Sequence, residues 1–431
     1  MVKNSKLETE SYKGVRDFYP EDLFVQNYIF SIWRKVAEKF GYVEYGASIL
    51  EPAELYRAKT GEEIVSEQTY TFVDRGEREV TLRPEMTPTV ARMVAQRERE
   101  LIFPLRWYSI PNLFRYEKPQ RGRLREHWQL NVDIFGVESN GADIEIISIA
   151  HQIMKSFGAK DADFIIKINN RKIVNDLYKK FDLNDENSHK ISKIIDKKDK
   201  ISPDGFKEAI AEIVGEKTEE FITLLESNEK LLDGFGKENK EVKELIELID
   251  QLEACGISNI TFDPCLMRGF DYYTGMVFEI FDLHPDNNRS VFGGGRYDDL
   301  LDIFGKNKIP AVGFGAGDVT TQDFLITHNL MPKYHKPINL YVCTTDIKYM
   351  KEANILANVL REKGLSVAVD LSGKKLGDQL KVAHKQAVPF VICLGEDEIK
   401  SGLYGVKNMD TGKEINVKAE EITGIILNSE F

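Results

Sequence analysis

No stretch of the chain approaches the roughly 18 consecutive apolar residues that a membrane-spanning helix needs, and the opening MVKNSKLETESYKG has no apolar signal core. A membrane-embedded or secreted protein is therefore not expected, and a cytoplasmic one is. Cysteine is scarce. The four present, Cys255, Cys265, Cys343 and Cys393, form no CxxC pair and have no histidine at a spacing suited to zinc, so they read as buried or semi-buried free thiols in a reducing compartment. Proline is scarce too, at 14 residues, and with 42% hydrophobic and 30% charged residues the composition argues against a disordered or fibrous chain. Basic charge is in deficit: 58 Lys and Arg stand against 70 Asp and Glu, a net charge of -12. An acidic surface does not attract nucleic acid or anionic lipid nonspecifically, so any polyanion must be met by a local basic patch. There is no repeat of fixed period and no low-complexity tract. At 431 residues the chain is too long for one ordinary core, which predicts two or three domains.

Along the chain, apolar residues at Ile29, Ile32, Trp33, Val36, Ala37 and Phe40 have helical spacing, and Gly41 closes that helix. Short strand-like pieces follow at 68–74, 79–84, 105–117 and 127–136. Their short connections predict an antiparallel sheet with helices on one side, since hairpin-length loops cannot make parallel crossovers. From about Arg171 to Gly256 charged residues dominate at helical periodicity, the pattern of a helical insertion. Strand-like sequence resumes at 275–283, then the glycine cluster VFGGGRYDDLL and the segment PAVGFGAGDVTTQDFL. After a linker beginning MPKYHKP, strands and helices alternate, then come a hairpin and a last helix: a small sheet with helices on its faces, in a separate C-terminal domain.

Against the acidic background, one stretch stands out. FRYEKPQRGRLREHWQLNVDIFG, residues 114–136, carries Arg115, Lys118, Arg121, Arg123 and Arg125 within eleven residues, offset by Glu117 and Glu126, with Pro119 and Gly122 forcing a turn. Arginine's planar fork binds two phosphate oxygens at once, so the loop reads as a polyanion site or as a solvated hairpin tip. TLRPEMTPTVAR places Arg83, Glu85 and Thr87 at a strand-to-helix junction, either to meet an ammonium group or to cap the helix. MRGFDYYTGMVFE places Arg268, Asp271, Tyr272 and Tyr273 on an apolar strand, where an interior arginine needs an anionic partner or a ligand. In GGGR, Gly293 to Arg296, the glycines allow close backbone approach to a ligand or form a bulge.

Together these stretches resemble the histidyl class II aminoacyl-tRNA synthetases over nearly the whole chain. KGVRDFYP is similar to the family's opening segment, LRPE.T to its amino-acid motif, and FR.E.PQ.GR.R to its second class motif, while RGFDYYTG resembles the segment peculiar to the histidine enzymes. The resemblance implies an α+β fold: a class II synthetase-like antiparallel sheet flanked by helices, with a helical insertion and a C-terminal α/β anticodon-binding domain. The corresponding boundaries are 1–170 and 257–330 for the two parts of the catalytic domain, 171–256 for the insertion, 331–336 for the linker and 337–431 for the anticodon-binding domain.

The reaction implied is activation of L-histidine by ATP to histidyl-adenylate, followed by transfer to tRNA(His), with Mg²⁺ bridging the β- and γ-phosphates. Arg115 and Arg268 would stabilise charge developing on the α-phosphate. Glu85, Thr87 and Gln129 would hold the α-amino group; Asp133, Tyr272 and Tyr273 would line the imidazole site, Tyr273 weighing more if strand alternation turns Tyr272 away. Arg115, Glu117, His127, Gly293 and Gly294 would contact ATP, and Gln120, Arg121 and Arg123 the tRNA end. Lys374, Lys375, Lys381, His384 and Lys385 would offer phosphate contacts in the last domain, or form a solvated face. The family's dimeric habit implies a homodimer.

Four positions depart from the family pattern: Ser48 stands where proline is usual, Met86 where glycine is, His127 where a phenylalanine stacks on adenine, and Thr320 where an arginine covers its other face. The last two keep a second reading open, a histidine-binding regulatory subunit of ATP phosphoribosyltransferase. The anticodon-like domain and the complete PQRGRLR loop favour the synthetase.

Overall fold

The computed structural model describes residues 9–57, 68–198, 201–235, 239–267, 272–334 and 336–428. They divide into two compact units, 1–332 and 333–431.

In the first unit, α1 (Pro20–Lys39) starts at a proline, which suits a first turn because its missing N–H would have no partner there. Its buried Gln26, Ile29, Phe30, Trp33, Val36 and Ala37 recur at helical spacing, and Gly41, at φ 81°, turns the chain out of it. The strands are β1 (Val43–Glu44), β2 (Leu50–Pro52), β3 (Tyr70–Val73), β4 (Glu79–Leu82), β5 (Leu105–Ser109), β6 (Asn112–Phe114), β7 (Glu126–Phe135), β8 (Phe164–Asn170), β9 (Ile260–Phe262), β10 (Met276–Asp282), β11 (Ser290–Arg296) and β12 (Ala311–Gly317). The helices that follow α1 are α2 (Glu54–Arg57), α3 (Thr87–Arg97), α4 (Asn140–Ser156), then α5 (Arg171–Lys180), α6 (Asp185–Asp196), α7 (Pro203–Val214), α8 (Thr218–Glu226), α9 (Asn228–Phe235) and α10 (Lys240–Ala254), and finally α11 (Asp318–Thr327).

Among the described residues the main sheet has the order β1-β5-β7-β12-β11-β10-β8-β9, with β6 paired to β7. Its centre is antiparallel, but β1 pairs β5 and β8 pairs β9 in parallel. Both parallel pairs join strands separated by long stretches: most of the first hundred residues in one case, the helices α5–α10 in the other. Hairpin-length loops constrain only strands adjacent in sequence, so strands this far apart can pair in parallel. The segments 70–73 and 79–82 also leave the main sheet and form a separate one in the order β2-β4-β3.

β7 is central to the site. From Leu130 to Phe135 every residue is buried, and strand alternation sorts them. Leu130, Val132 and Ile134 join the main core with α1, α4 and α11 residues, while Phe135 belongs to a second cluster with Val90, Ala91 and Val94 of α3. Helices thus cover both faces, not one, and the odd-numbered side of β7 carries the polar Gln129, Asn131 and Asp133 before it ends on Phe135.

In the second unit the sheet order is β14-β13-β15-β16-β17, built from β13 (Leu340–Thr344), β14 (Val367–Val369), β15 (Phe390–Leu394), β16 (Leu403–Asn408) and β17 (Glu414–Lys418). The first three strands are parallel and the last two antiparallel. Its helices are α12 (Met350–Glu362), α13 (Leu376–Lys385), α14 (Glu396–Ser401) and α15 (Ile422–Asn428). The hairpin β16–β17 is present, but α14 precedes it; its Glu398 side chain accepts from the Gly395 N–H at 2.8 Å, a local cap in a stretch too short for a periodic signal. The four thiols are free, but Cys255, at the end of α10, is exposed and not buried.

Candidate active site

Along β7, Gln129, Asn131 and Asp133 point to one side by strand alternation. Opposite them, β12 presents glycines in register: Gly313 pairs with Asp133 and Gly315 with Gln129. A Cβ at Gly313 would sit 2.3 Å from Asp133 Oδ1 and 2.5 Å from the Val132 carbonyl oxygen; one at Gly315 would sit 2.1 Å from Gln129 Nε2. The glycines therefore leave the room that the polar side chains occupy. A cavity of about 110 Å³ results, lined also by Glu85, Thr87, Arg115, Tyr272, Tyr273, Gly293 and Tyr297.

Asp133 is buried in the cavity wall. Tyr297 donates its hydroxyl hydrogen bond to Asp133 Oδ1, and among the described residues Oδ2 has no partner. Burial pushes this carboxyl up to about 7, against the opposing pull of the Tyr297 hydrogen bond. Such a group takes or gives a proton near neutrality.

Glu85, 2% exposed, receives the Tyr272 hydroxyl at Oε2, 2.9 Å away, and the same hydroxyl lies 3.4 Å from Thr87 Oγ1 at the start of α3. Burial first, and then the Glu85 charge, pushes the Tyr272 phenol well above its ordinary value, so it stays a donor. Tyr272 and Tyr273 both line the cavity, contrary to the expectation that alternation would turn one away: β10 begins only at Met276, so neither tyrosine obeys a strand period. The Tyr272 hydroxyl makes the hydrogen bonds to Glu85 and Thr87.

Arg115 Nε donates to the Pro84 carbonyl at 2.9 Å, and among the described residues no carboxylate lies within ion-pair distance of it. Its guanidinium is held by backbone at the cavity wall while its other nitrogens are left for a ligand. Arg83 has a different use: Nη1 donates to Ala47 O at 2.8 Å and Nε to Asn112 O at 3.0 Å, so it clamps the backbone behind the site. Arg296 is likewise structural, donating to Asp143 at 2.5 Å and to Val137 O at 2.9 Å. Arg268 and Asp271 lie outside the described residues.

Gly293 lines the cavity, but Gly294 does not. One residue further along β11, Gly294 faces the neighbouring strand, where a Cβ would meet Gly313 O at 1.9 Å. His127 shares the Gln129 side of β7 but lies outside the lining. Glu117, Gln120 and Arg123 line a separate shallow pocket with Gln68, Tyr116 and Lys118, and Arg123 Nη1 stands 3.7 Å from Glu117 Oε2. Arg121 donates to the Asp286 carbonyl at 3.1 Å, and its own carbonyl accepts from Arg289 at 3.0 Å. The basic loop turns at Gly122, φ 78°, between paired Gln120 and Arg123, and borders a cleft of about 930 Å³ that also meets Lys167, Lys198, Arg289 and Thr320.

Sequence reasoning missed Tyr297, Asn131, Gly313 and Gly315. Asn131 was available from alternation between Gln129 and Asp133, and the every-second glycine of VGFGAG signalled a strand shaped around its neighbour's side chains. Tyr297 had no local signal; its contact with Asp133 spans 164 residues.

The likeness to known proteins covers both units. A histidyl-tRNA synthetase family model matches residues 14–318, and an anticodon-binding domain model matches residues 339–429. A histidine–tRNA ligase of Leptospira biflexa is 43% identical over 428 residues, covering 97% of this chain and 98% of the relative. One of Thermoplasma volcanium is 36% identical over 415 residues, covering 95% of this chain and 96% of the relative. In fold, a crystal structure of a Nostoc histidyl-tRNA synthetase superposes with a TM-score of 0.83 at 23% identity, covering 98% of this chain and 100% of that one. A Bacillus halodurans structure described as an ATP phosphoribosyltransferase regulatory subunit/histidyl-tRNA synthetase superposes at 0.73 with 24% identity, over 90% of this chain and 99% of that one. Fold alone does not separate those two descriptions, but identity sustained across nearly all of the chain, in both units and in the same order, does: this chain belongs to the histidyl-tRNA synthetase family.

Proposed function

We propose that the chain activates L-histidine with ATP, giving histidyl-adenylate and pyrophosphate, and transfers the histidyl group to the terminal ribose of tRNA(His). The observation that carries this reading is the cavity whose wall combines a buried carboxyl of neutral range, Asp133, with a carboxylate and a guanidinium, Glu85 and Arg115. An imidazole at Asp133 and Tyr297 would pair ring nitrogens with buried polar groups, and an analogue lacking those nitrogens would leave them unpaired, which discriminates by roughly 10⁴-fold or more. Glu85, held by Tyr272, would take the α-ammonium group together with Thr87 and Gln129, while Tyr273 closes the side wall.

The histidine carboxylate then lies at Arg115, where it attacks the α-phosphate: its oxygen forms the new bond to phosphorus as the bond to the β-phosphate oxygen breaks and pyrophosphate leaves. Arg115, pre-oriented by the Pro84 carbonyl, stabilises the charge that builds on the phosphoryl oxygens. Arg268 is assigned the opposite side of the same phosphorus. Gly293 would let the nucleotide approach closely, and Glu117 would bound its outer end. Mg²⁺ is assigned to ATP's β- and γ-phosphates, arriving with the nucleotide; among the described residues no group of three His, Cys, Asp or Glu side chains forms a resident metal site. The loop Gln120–Arg123 would meet the acceptor end of tRNA, and the unit 333–431 its anticodon. A homodimer acting in the cytoplasm completes the reading; among the described residues no helix is long and apolar enough to cross a membrane.

Thr320 is the feature that favours the second reading, a histidine-binding regulator, because its hydroxyl donates to Gly317 O at 3.2 Å and brings no cation to the nucleotide. Charging of tRNA(His) with labelled histidine separates the two. The synthetase yields AMP and a histidyl ester in equal amounts; histidine binding with neither product would establish the regulator.

A further inference from the structure

The basic loop that turns at Gly122 is fastened to a segment far along the chain, and two arginines cross between them in opposite directions. Arg121 Nη1, from the loop, donates to the Asp286 carbonyl at 3.1 Å. Arg289 Nη1, from the distant segment, donates to the Arg121 carbonyl at 3.0 Å. Arg289 Nη2 also pairs with Asp323 of α11, whose Oδ2 stands 3.9 Å from Arg121 Nε. One carboxylate thus lies between two guanidiniums, and a positive charge is left over at the edge of the cleft that meets Lys167 and Lys198.

The segment that receives the loop is itself held in place. Asp282, fully buried at the end of β10, accepts the His284 N–H at 2.8 Å and the Asn287 side-chain amide at 2.7 Å. Its Oδ1 also lies 2.8 Å from His328 Nε2, just past the end of α11. These bonds fix the turn on which Asp286 and Arg289 sit. The loop is shaped to the same partner: Gly122 adopts φ 78°, a region that favours glycine, and a Cβ there would stand 2.5 Å from Arg289 Nη1. Any side chain at 122 would displace that guanidinium.

We infer that Arg289 is a positioning residue: it clasps the basic loop in the pose that presents Arg123 to the cleft of about 930 Å³. The inference rests on the tRNA-charging reading for what the loop meets there. An unfastened loop spends part of its time in poses that do not fit the ligand, and apparent affinity falls with the competent fraction. Arg289 suits this task because one planar fork serves two acceptors, the Arg121 carbonyl and the Asp323 carboxylate, which a single ammonium group does not reproduce.

Rapid-mixing hydrogen exchange on the full chain reads the loop, and steady-state kinetics read the consequence. In Arg289→Gln the amides of Gln120 and Arg123, which bond each other's carbonyls at 3.0 and 2.9 Å, should exchange about tenfold faster, the weight of one charge-assisted bond. Exchange along β7 should not change. KM for tRNA(His) in charging should rise by about the same factor, while KM for histidine and the rate of pyrophosphate exchange stay put. Arg289→Lys keeps the cation and its pairing with Asp323 but loses the fork, so it should loosen the loop as well. Full recovery of the tRNA KM in Arg289→Lys would overturn the clasp, since it would show a charge that meets phosphate directly. Unchanged loop exchange in both variants would also overturn it, as would faster exchange spread through β7, which would report a general prop of the fold. If the unmodified chain neither exchanges pyrophosphate nor charges tRNA, the proposed activity falls, and selective quickening of the loop amides would still establish the clasp.

Discussion

A carboxyl that burial lifts to about 7 changes charge where free histidine does, so Asp133 and its ligand compete for one proton. The same shift affects the empty protein. Because the folded-state pKa lies above the unfolded value of about 3.9, the folded chain binds the proton more tightly, and stability falls as pH rises from about 4 to about 7. Asp133→Asn keeps an acceptor for Tyr297 without the titration. Its melting midpoint should gain on that of the unmodified chain across this window and hold a constant lead above it; parallel profiles would show that Asp133 titrates normally. Tyr272→Phe addresses the other carboxylate. Removing the hydroxyl takes a donor from buried Glu85, a deficit of about 1–3 kcal/mol, and KM for histidine in pyrophosphate exchange should rise about tenfold or more while KM for ATP stays put.

At the scale of elements, the site is a gap between β7 and β12 kept open by glycine, and two substitutions separate its components. In Gly313→Ala the new methyl meets the Val132 backbone as well as Asp133, and backbone cannot yield; overpacking of this kind costs about 1–3 kcal/mol, and the thermal midpoint should drop. In Gly315→Ala the methyl meets only the Gln129 side chain, which can swing aside by giving up its 2.7 Å hydrogen bond to Asn131 Oδ1, so the fold should survive while histidine affinity falls. A calorimetric scan and a histidine titration on both variants check the contrast. This element was partly legible beforehand. Glu85 and Thr87 stood out at a junction between strand and helix, whereas Gln129 and Asp133 entered through the family resemblance and not through any pattern along the strand. Tyr297 and the parallel edges β1–β5 and β8–β9 were not legible, because they are set by packing between segments far apart in sequence, where local periodicity carries no information. The expectation that one tyrosine turns away from the cavity failed for the converse reason: a strand period was extended into Tyr272–Gly275, where the chain has not yet entered β10.

For the molecule as a whole, the acidic surface and the basic loop divide the work of recognition. A net charge of -12 leaves Arg121 and Arg123 as local points of attachment for RNA phosphate, so Arg123→Ala should weaken tRNA binding and reduce its salt dependence by about one unit of slope, with histidine activation unchanged. Filter binding across a salt series measures this. The unit 333–431 has its own apolar clusters on both faces of its sheet, and the alternating pattern that announced it was clear from sequence alone because each element there is short and regular. The departures at His127 and Thr320 were equally legible, whereas the ion pair of Arg16 with Asp318, two residues before Thr320, was not, because it joins segments far apart in sequence.

Exchange of labelled pyrophosphate into ATP, run with different amino acids, tests most directly whether the cavity is an imidazole site wired to adenylate formation. Histidine alone should support exchange, and Arg115→Ala should cut its rate far more than it weakens histidine binding, because the contact strengthens only as charge develops on phosphorus. Exchange supported equally by glutamine or phenylalanine, or tight histidine binding with no exchange at all, would contradict it.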